Sequence, residues 1–201
     1  TILIRRIFEK ILFPLLTEYT TLNKGQAGFR NGFSCSTQLL LTQQAKYIGK
    51  RHFVFLDIMA AYDSVDINRL LLKMSIKKIP FYLIKITKSL MSNCSCRIVV
   101  NDQITTKILL ERGLFQGSIL SPILFDIFID DLAERLNGPS RESILTPSGL
   151  FFADDILLTA SSIVSLQELL HTTSDWCIEN KLQVNIPKCG TFTSDSLLEI
   201  G

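Results

Sequence analysis

The 201-residue chain is 47% hydrophobic, yet it lacks any run of the roughly 18 uninterrupted apolar residues that a membrane-spanning helix needs. The nearest approach, ILSPILFDIFI, is broken by Ser121, Pro122 and Asp126. No secretory signal opens it either. TILIRRIFEKILFPLL carries its charges inside the apolar segment and has no small-residue cleavage site, so it reads as an amphipathic helix. The five cysteines are odd in number and follow no disulfide framework. Cys94 and Cys96 form a C-x-C with no partner pair and no downstream H-x₃₋₅-H, which argues against a zinc module. Internal repeats and low-complexity tracts are missing. These absences predict an intracellular protein of the nucleus or cytoplasm, neither secreted nor held in a membrane.

What is present is unevenly distributed. Residues 1–110 hold 16 Lys and Arg against 6 Asp and Glu, a balance of +10, while residues 111–201 hold 5 against 13, a balance of −8. A basic half beside an acidic half suits a protein that grips a polyanion with one part and metal cations with the other; solvated faces are the plain alternative. Periodicity predicts a first helix over about 2–22 and, after the loop NKGQAGFRNGFS, a second over TQLLLTQQAKYIGK capped by Ser34 or Ser36. HFVFLDI reads as a strand covered on both faces. Asp63, Ser64 or Asp66 can cap the helix INRLLLKMSIKK, which Pro80 closes, and FYLIKITKSLMSN follows as another helix. SCRIVVNDQITTKILLERG reads as a hairpin turning near Asn101-Asp102, and SPILFDIFIDDLAERL as a helix with proline at its start and Gly138-Pro139 at its end. GLFFADDILLTA predicts two short strands with the aspartates at the turn. SLQELLHTTSDWCIENK is a helix and LQVNI a final strand. Without regular βαβ alternation, the class is α+β with a partly antiparallel sheet.

Asp154 and Asp155 stand inside an apolar hairpin, where unpaired charge is costly. A β-turn facing water would account for them. Asp57, however, also ends an apolar strand, so three carboxylates from two strands can converge at one sheet edge. Such a cluster repels itself unless divalent cations neutralise it, and Mg²⁺ takes oxygen ligands of this kind. Two ions about 3.5–4 Å apart are the standard arrangement for displacing pyrophosphate from a nucleotide. Between these carboxylates, Gly113 and Gly117 in RGLFQGSILSPILF permit close backbone approach, and Gln116 offers an amide to a nucleotide or template.

The ordered set QAGFRNGFS, FLDIMAAYDSVD, RGLFQGSILSPILF, FADD and LQVNIPKC resembles the reverse transcriptase domain of non-LTR retrotransposons, and more distantly that of group II introns. The likeness runs over residues 4 to 192. It implies a right-hand polymerase with partial fingers over residues 1–50 and a palm over 51–201, an antiparallel sheet packed on helices, with no thumb. The family's earliest finger motif would precede Thr1, and neither endonuclease nor zinc-knuckle segment is present, so this portion alone is expected to grip duplex poorly. The resemblance implies RNA-directed DNA polymerase activity, with Asp57, Asp154 and Asp155 holding two Mg²⁺ (or Mn²⁺) ions. Tyr62 falls at the steric gate that favours dNTPs over rNTPs, where most of these elements have Phe. Gln116 and Gly117 match the motif that meets template and incoming nucleotide, although Phe115 stands where the family usually has Pro. Lys188 matches the lysine proposed to protonate the leaving pyrophosphate, and Arg30 lies in a finger region that touches template or triphosphate. The implied partners are RNA template, DNA primer and dNTPs. Two other readings are an inactive remnant that keeps the fold and a maturase-like RNA-binding module. The intact aspartates, aromatic gate and Lys188 weigh against the first, and the lack of a basic thumb against the second.

Overall fold

The central strand owes its place to alternation within HFVFLD. In a computed structural model, which describes residues 2–92, 94–97, 99–100, 103–138 and 147–194, strand β1 (His52–Asp57) turns Val54 and Leu56 into the main core. Phe53 faces the other way, into a smaller cluster with Ala45, Leu150 and Leu157. The helices before the sheet are α1 (Ile2–Tyr19) and α2 (Cys35–Tyr47), the latter capped by the Ser34 side chain, which accepts from the Thr37 N–H. After β1 come the short α3 (Ala61–Ser64), then α4 (Ile67–Ile76) and α5 (Phe81–Met91). Of the three candidate caps, Asp66 is the one that closes α4, accepting from the Arg69 N–H at 3.1 Å.

Two small antiparallel ladders follow. Strand β2 (Ser95–Cys96) pairs with β5 (Ile108–Leu109), and β3 (Val99–Val100) pairs with β4 (Gln103–Ile104). The turn expected at Asn101-Asp102 lies outside the described residues. Helix α6 (Ser121–Asn137) has proline in its first turn and ends at Gly138, whose φ of +77° suits a residue without Cβ. Strands β6 (Gly149–Phe152) and β7 (Asp155–Ala160) form the hairpin, α7 (Ile163–Asn180) crosses back, and β8 (Gly190–Thr193) completes an antiparallel sheet in the order β6-β7-β1-β8.

Helix α6 is buried nearly all round, carrying Asp126 and Asp130 into the core with its apolar residues. Its Leu124, Phe125, Ile127, Phe128 and Leu132 are fully buried among Leu12 and Leu16 of α1, Leu70 and Met74 of α4, and Trp176 of α7. The Lys73 ammonium lies 4.3 Å from the Phe128 ring centre, donates to the Phe128 carbonyl and pairs with Asp131, so its charge is neutralised where it enters the core. Cys35, Cys94, Cys177 and Cys189 are free thiols. No helix among the described residues is long and apolar enough to cross a membrane.

Three sequence expectations change. The first helix ends at Tyr19, three residues short of the expected limit. Strand β1 is not covered throughout, because Phe55 is 48% exposed at the open part of the sheet face that α2 caps. LQVNI is no strand. Val184 makes one isolated bridge to Ile58, a 3₁₀ turn takes Ile186–Lys188, and the last strand begins only at Gly190. Pro187 explains the shift, since it has no N–H to give a ladder.

Candidate active site

Hairpin register brings the acidic residues together. Strands β1 and β7 run antiparallel with His52 opposite Ala160 and, five pairs on, Asp57 opposite Asp155. Asp154 occupies the two-residue turn between β6 and β7, immediately beside them. The three carboxylates thus share one end of the two central strands, as apolar strands ending in carboxylates suggested. Asp57 is half-buried. Its Oδ2 accepts from the Asn185 side-chain amide at 2.8 Å, and the Lys188 ammonium, itself 68% exposed, stands 3.8 Å away. The Asp155 carboxyl is held above the usual range by partial desolvation and by the negative charges of Asp154 and Asp57, with Lys188 pulling the other way. Among the described residues, no three acidic, His or Cys side chains close around a common point tightly enough to hold a metal ion unaided. The donors are nonetheless hard, mutually repelling oxygens at an open edge. That fits Mg²⁺, which completes its shell with water and substrate phosphates instead of an all-protein cage.

The turn that carries Asp154 is under local strain and is clamped. Ala153 has φ +58°, a left-handed conformation that residues with a Cβ avoid. The fully buried Gln26 side chain holds it at both ends of the residue: Oε1 accepts the Ala153 N–H at 3.1 Å and Nε2 donates to the Ala153 carbonyl at 3.3 Å. Around that clamp, Ala27 N–H donates to Phe151 O and Phe151 N–H to Gly25 O, both at 2.9 Å. A Cβ on Gly28 would come within 2.4 Å of the Ala153 nitrogen, which is why QAGFR needs glycine there. Arg30 sits half-buried in this loop. Its guanidinium donates to the Asn23 and Gln26 carbonyls at 2.8 and 2.7 Å and covers the Phe33 ring. It braces its own loop, and burial lowers its pKa.

Tyr62 stacks on Phe125, with ring centres 4.9 Å apart and planes 17° from parallel. Its hydroxyl is buried with no hydrogen-bond partner, and burial, then Asp126 and Asp154, push the phenol pKa up. The Gln116-Gly117 pair forms the tip of a turn closed by Ser118 N–H donating to Phe115 O at 3.2 Å, and Gly117 supplies the φ of +81° at its third position. Gln116 is exposed. The base of this loop is tied to the segment after β1, with Leu114 N–H on Tyr62 O and Gly113 N–H on Val65 O. A Cβ on Gly113 would meet Asp63 O at 2.9 Å.

Sequence reasoning missed three residues. Gln26 clamps the aspartate turn, Asn185 orients Asp57, and Asp126 is a fully buried carboxylate with neither oxygen partnered. Asp126 is pushed up to about 8, first by burial and further by Asp130, against the pull of Arg30. Gln26 and Asn185 each stand within a quoted motif, but a lone amide carries no signal of what it will bond.

An antiparallel sheet backed by helices, with carboxylates gathered at one end of its two central strands, defines the palm of a template-directed polymerase. The chain belongs to the reverse transcriptase (RNA-dependent DNA polymerase) family, whose model matches residues 2–198. The Pol polyprotein from a type-1 retrotransposable element R2 of Popillia japonica is 32% identical over 70% of this chain and 24% of its own length. The probable RNA-directed DNA polymerase from transposon BS of Drosophila melanogaster is 29% identical over 91% of this chain and 21% of its own. The chain therefore spans about a fifth to a quarter of these curated relatives. Among solved structures, apo telomerase from Candida tropicalis truncated from its C-terminal domain overlays with a TM-score of 0.69 at 15% identity, covering 94% of this chain and 40% of that one. That likeness is one of fold.

Proposed function

We propose that this chain supplies the catalytic palm, residues 51–201, and part of the fingers, residues 1–50, of a retrotransposon reverse transcriptase that extends a DNA 3′-OH on an RNA template. The observation that carries this reading is the register of Asp57 opposite Asp155 with Asp154 in the adjoining turn. Reverse transcriptases generally use divalent metal ions. Asp57, Asp154 and Asp155 would hold Mg²⁺ here, and the bound ions would supply charge neutralisation and an activated 3′-hydroxyl.

The chain's own residues then position and discriminate. Asn185 fixes one oxygen of the Asp57 carboxylate. Lys188, on a 3₁₀ turn against Asp57, offsets charge on the departing pyrophosphate or gives it a proton. The Tyr62 ring, backed by Phe125, forms a wall that a ribose 2′-OH would strike. Gln116 and Gly117 present an amide and an open backbone to template and dNTP, and Arg30 secures the loop whose Gln26 clamps the turn before Asp154.

Primer extension on poly(rA)·oligo(dT) with Mg²⁺ or Mn²⁺ tests this. Wild type should incorporate dTTP, and Asp154→Asn should reduce incorporation at least about a hundredfold. If neither this chain nor a version extended at both ends incorporates dTTP although both fold, the inactive-remnant reading takes its place.

A further inference from the structure

Helix α1 reaches across the molecule to the loop that carries Gln116 and Gly117. The Arg5 guanidinium lies over the Phe115 ring, 4.3 Å from its centre. Arg5 Nε donates to Glu9 Oε1 at 2.8 Å, one turn along the helix, and Glu9 Oε2 accepts the Ile119 N–H at 2.9 Å. The two contacts fall on either side of Gln116-Gly117. Both residues are costly where they stand. Glu9 is 1% exposed, and Arg5 Nη2 is buried with no hydrogen-bond partner. A buried carboxylate, and a guanidinium that is partly exposed but has one nitrogen buried without a partner, destabilise a fold unless each other and the loop compensate them. An apolar pair would pack the same helix at lower cost.

We infer that Arg5 and Glu9 are positioning residues that brace the 115–119 loop and so set how Gln116 and Gly117 are presented to template and nucleotide. The inference rests on the polymerase reading above. Among the described residues the loop's other hydrogen bonds are Leu114 to Tyr62, Gly113 to Val65, the Phe115 carbonyl to Ser118 N–H and Ser121 Oγ, and Leu120 N–H to Ser118 Oγ, while one side of the Phe115 ring packs against the main core. None of those bonds restrains the Phe115 side chain or the Ile119 amide. The planar guanidinium over an aromatic face does the first, and the Glu9 carboxylate does the second. A proline at position 115 would stiffen the same point by fixing φ. Phe115 has a negative φ and its N–H meets no acceptor among the described residues, so that replacement would lose no bond.

This gives a double-mutant test on the chain with two readouts. The first is amide hydrogen exchange without substrates; the second is the split between KM for dTTP and kcat in primer extension. Arg5→Ala should speed exchange at 116–119 and raise the KM by about three- to tenfold, with kcat and exchange in β1 and β7 little changed. Arg5→Lys keeps the charge on Glu9 but lacks the flat face, and should recover part of the loss. In the Phe115→Pro background, Arg5→Ala should have almost no effect on either readout. The inference is overturned if Arg5→Ala and Arg5→Lys leave the loop unaltered, if exchange rises equally in β1 and β7, or if the loss is as large with proline at 115. If neither this chain nor a version extended at both ends incorporates dTTP, the polymerase reading fails, while the exchange pattern still decides the brace.

Discussion

Gln26 and Ala153 are joined as two peptides of a sheet would be, the side-chain amide of one giving and receiving the backbone bonds of the other. The pairing holds a left-handed alanine in the turn next to Asp154. Gln26 Oε1 also accepts the Gly28 N–H at 2.8 Å, so Gln26→Ala removes three bonds and leaves three buried backbone groups unpaired, at a cost of about 3 kcal/mol or more in stability. Denaturant melts should show that loss. Activity measured on the remaining folded protein should also fall, because Asp154 follows the released residue directly. Unchanged activity per folded molecule would separate Gln26 from the site.

Tyr62 offers two changes with opposite outcomes. Tyr62→Phe removes a buried hydroxyl that has no partner while keeping the ring on Phe125. It should stabilise the fold by about 1 kcal/mol and preserve the preference for dNTPs. Tyr62→Ala removes the wall, so incorporation of rNTPs should rise relative to dNTPs. Competition between dTTP and UTP in primer extension reads both.

Asp126 should impose a pH dependence on stability. The folded chain holds its carboxyl near 8, while the unfolded chain ionises it near ~4. Its stabilising contribution is therefore complete below pH ~4 and is lost by about 1.4 kcal/mol per pH unit as pH rises towards the folded value, where the loss levels off. Asp126→Asn keeps the shape and cannot ionise. Its melting temperature should exceed that of wild type at pH 7.5 and match it near pH 4. Arg30 and Asp130 are the charged neighbours that set the folded value, so Arg30→Gln should raise it further.

Gly28 meets the aspartate turn face to face. Gly28→Ala would press its Cβ to 2.4 Å from the Ala153 nitrogen and 2.9 Å from the Ala153 Cα, neither of which can swing away as a side chain could. The loop or the hairpin must shift. The expected result is a loss of about 1–3 kcal/mol with a matching loss of incorporation, read by melting and primer extension.

The elements were legible where one physical signal dominated. Short continuous apolar runs in HFVFLD and GLFFADDILLTA announced the central strands, and Ser34, Asp66, Pro122 and Gly138 marked helix ends through bonds or dihedrals set within a few residues. The hidden parts depended on distant partners. The last strand lies beyond Pro187, where four residues with little periodicity, Gly190–Thr193, pair with β1 because that edge is open and Phe192 stacks on Phe53. Phe55 is apolar like its neighbours, and only the position of α2 decides that it is exposed. Arg30 reads as a free cation in the sequence, yet the loop's carbonyls occupy it.

By its sequence alone, the chain determined its α+β class and the order of its motifs. It also determined that Asp57 and Asp154-Asp155 must end apolar strands, since local propensity and the period of two act over a few residues. Tertiary structure decided everything that depends on approach between distant segments. It set Asp57 opposite Asp155, put Gln26 on Ala153 and Asn185 on Asp57, buried Asp126 without a partner, and brought Arg5 and Glu9 to the Phe115 loop. Hydrogen bonds and Coulomb forces act over a few ångströms, so which groups they join follows from packing and not from spacing along the chain.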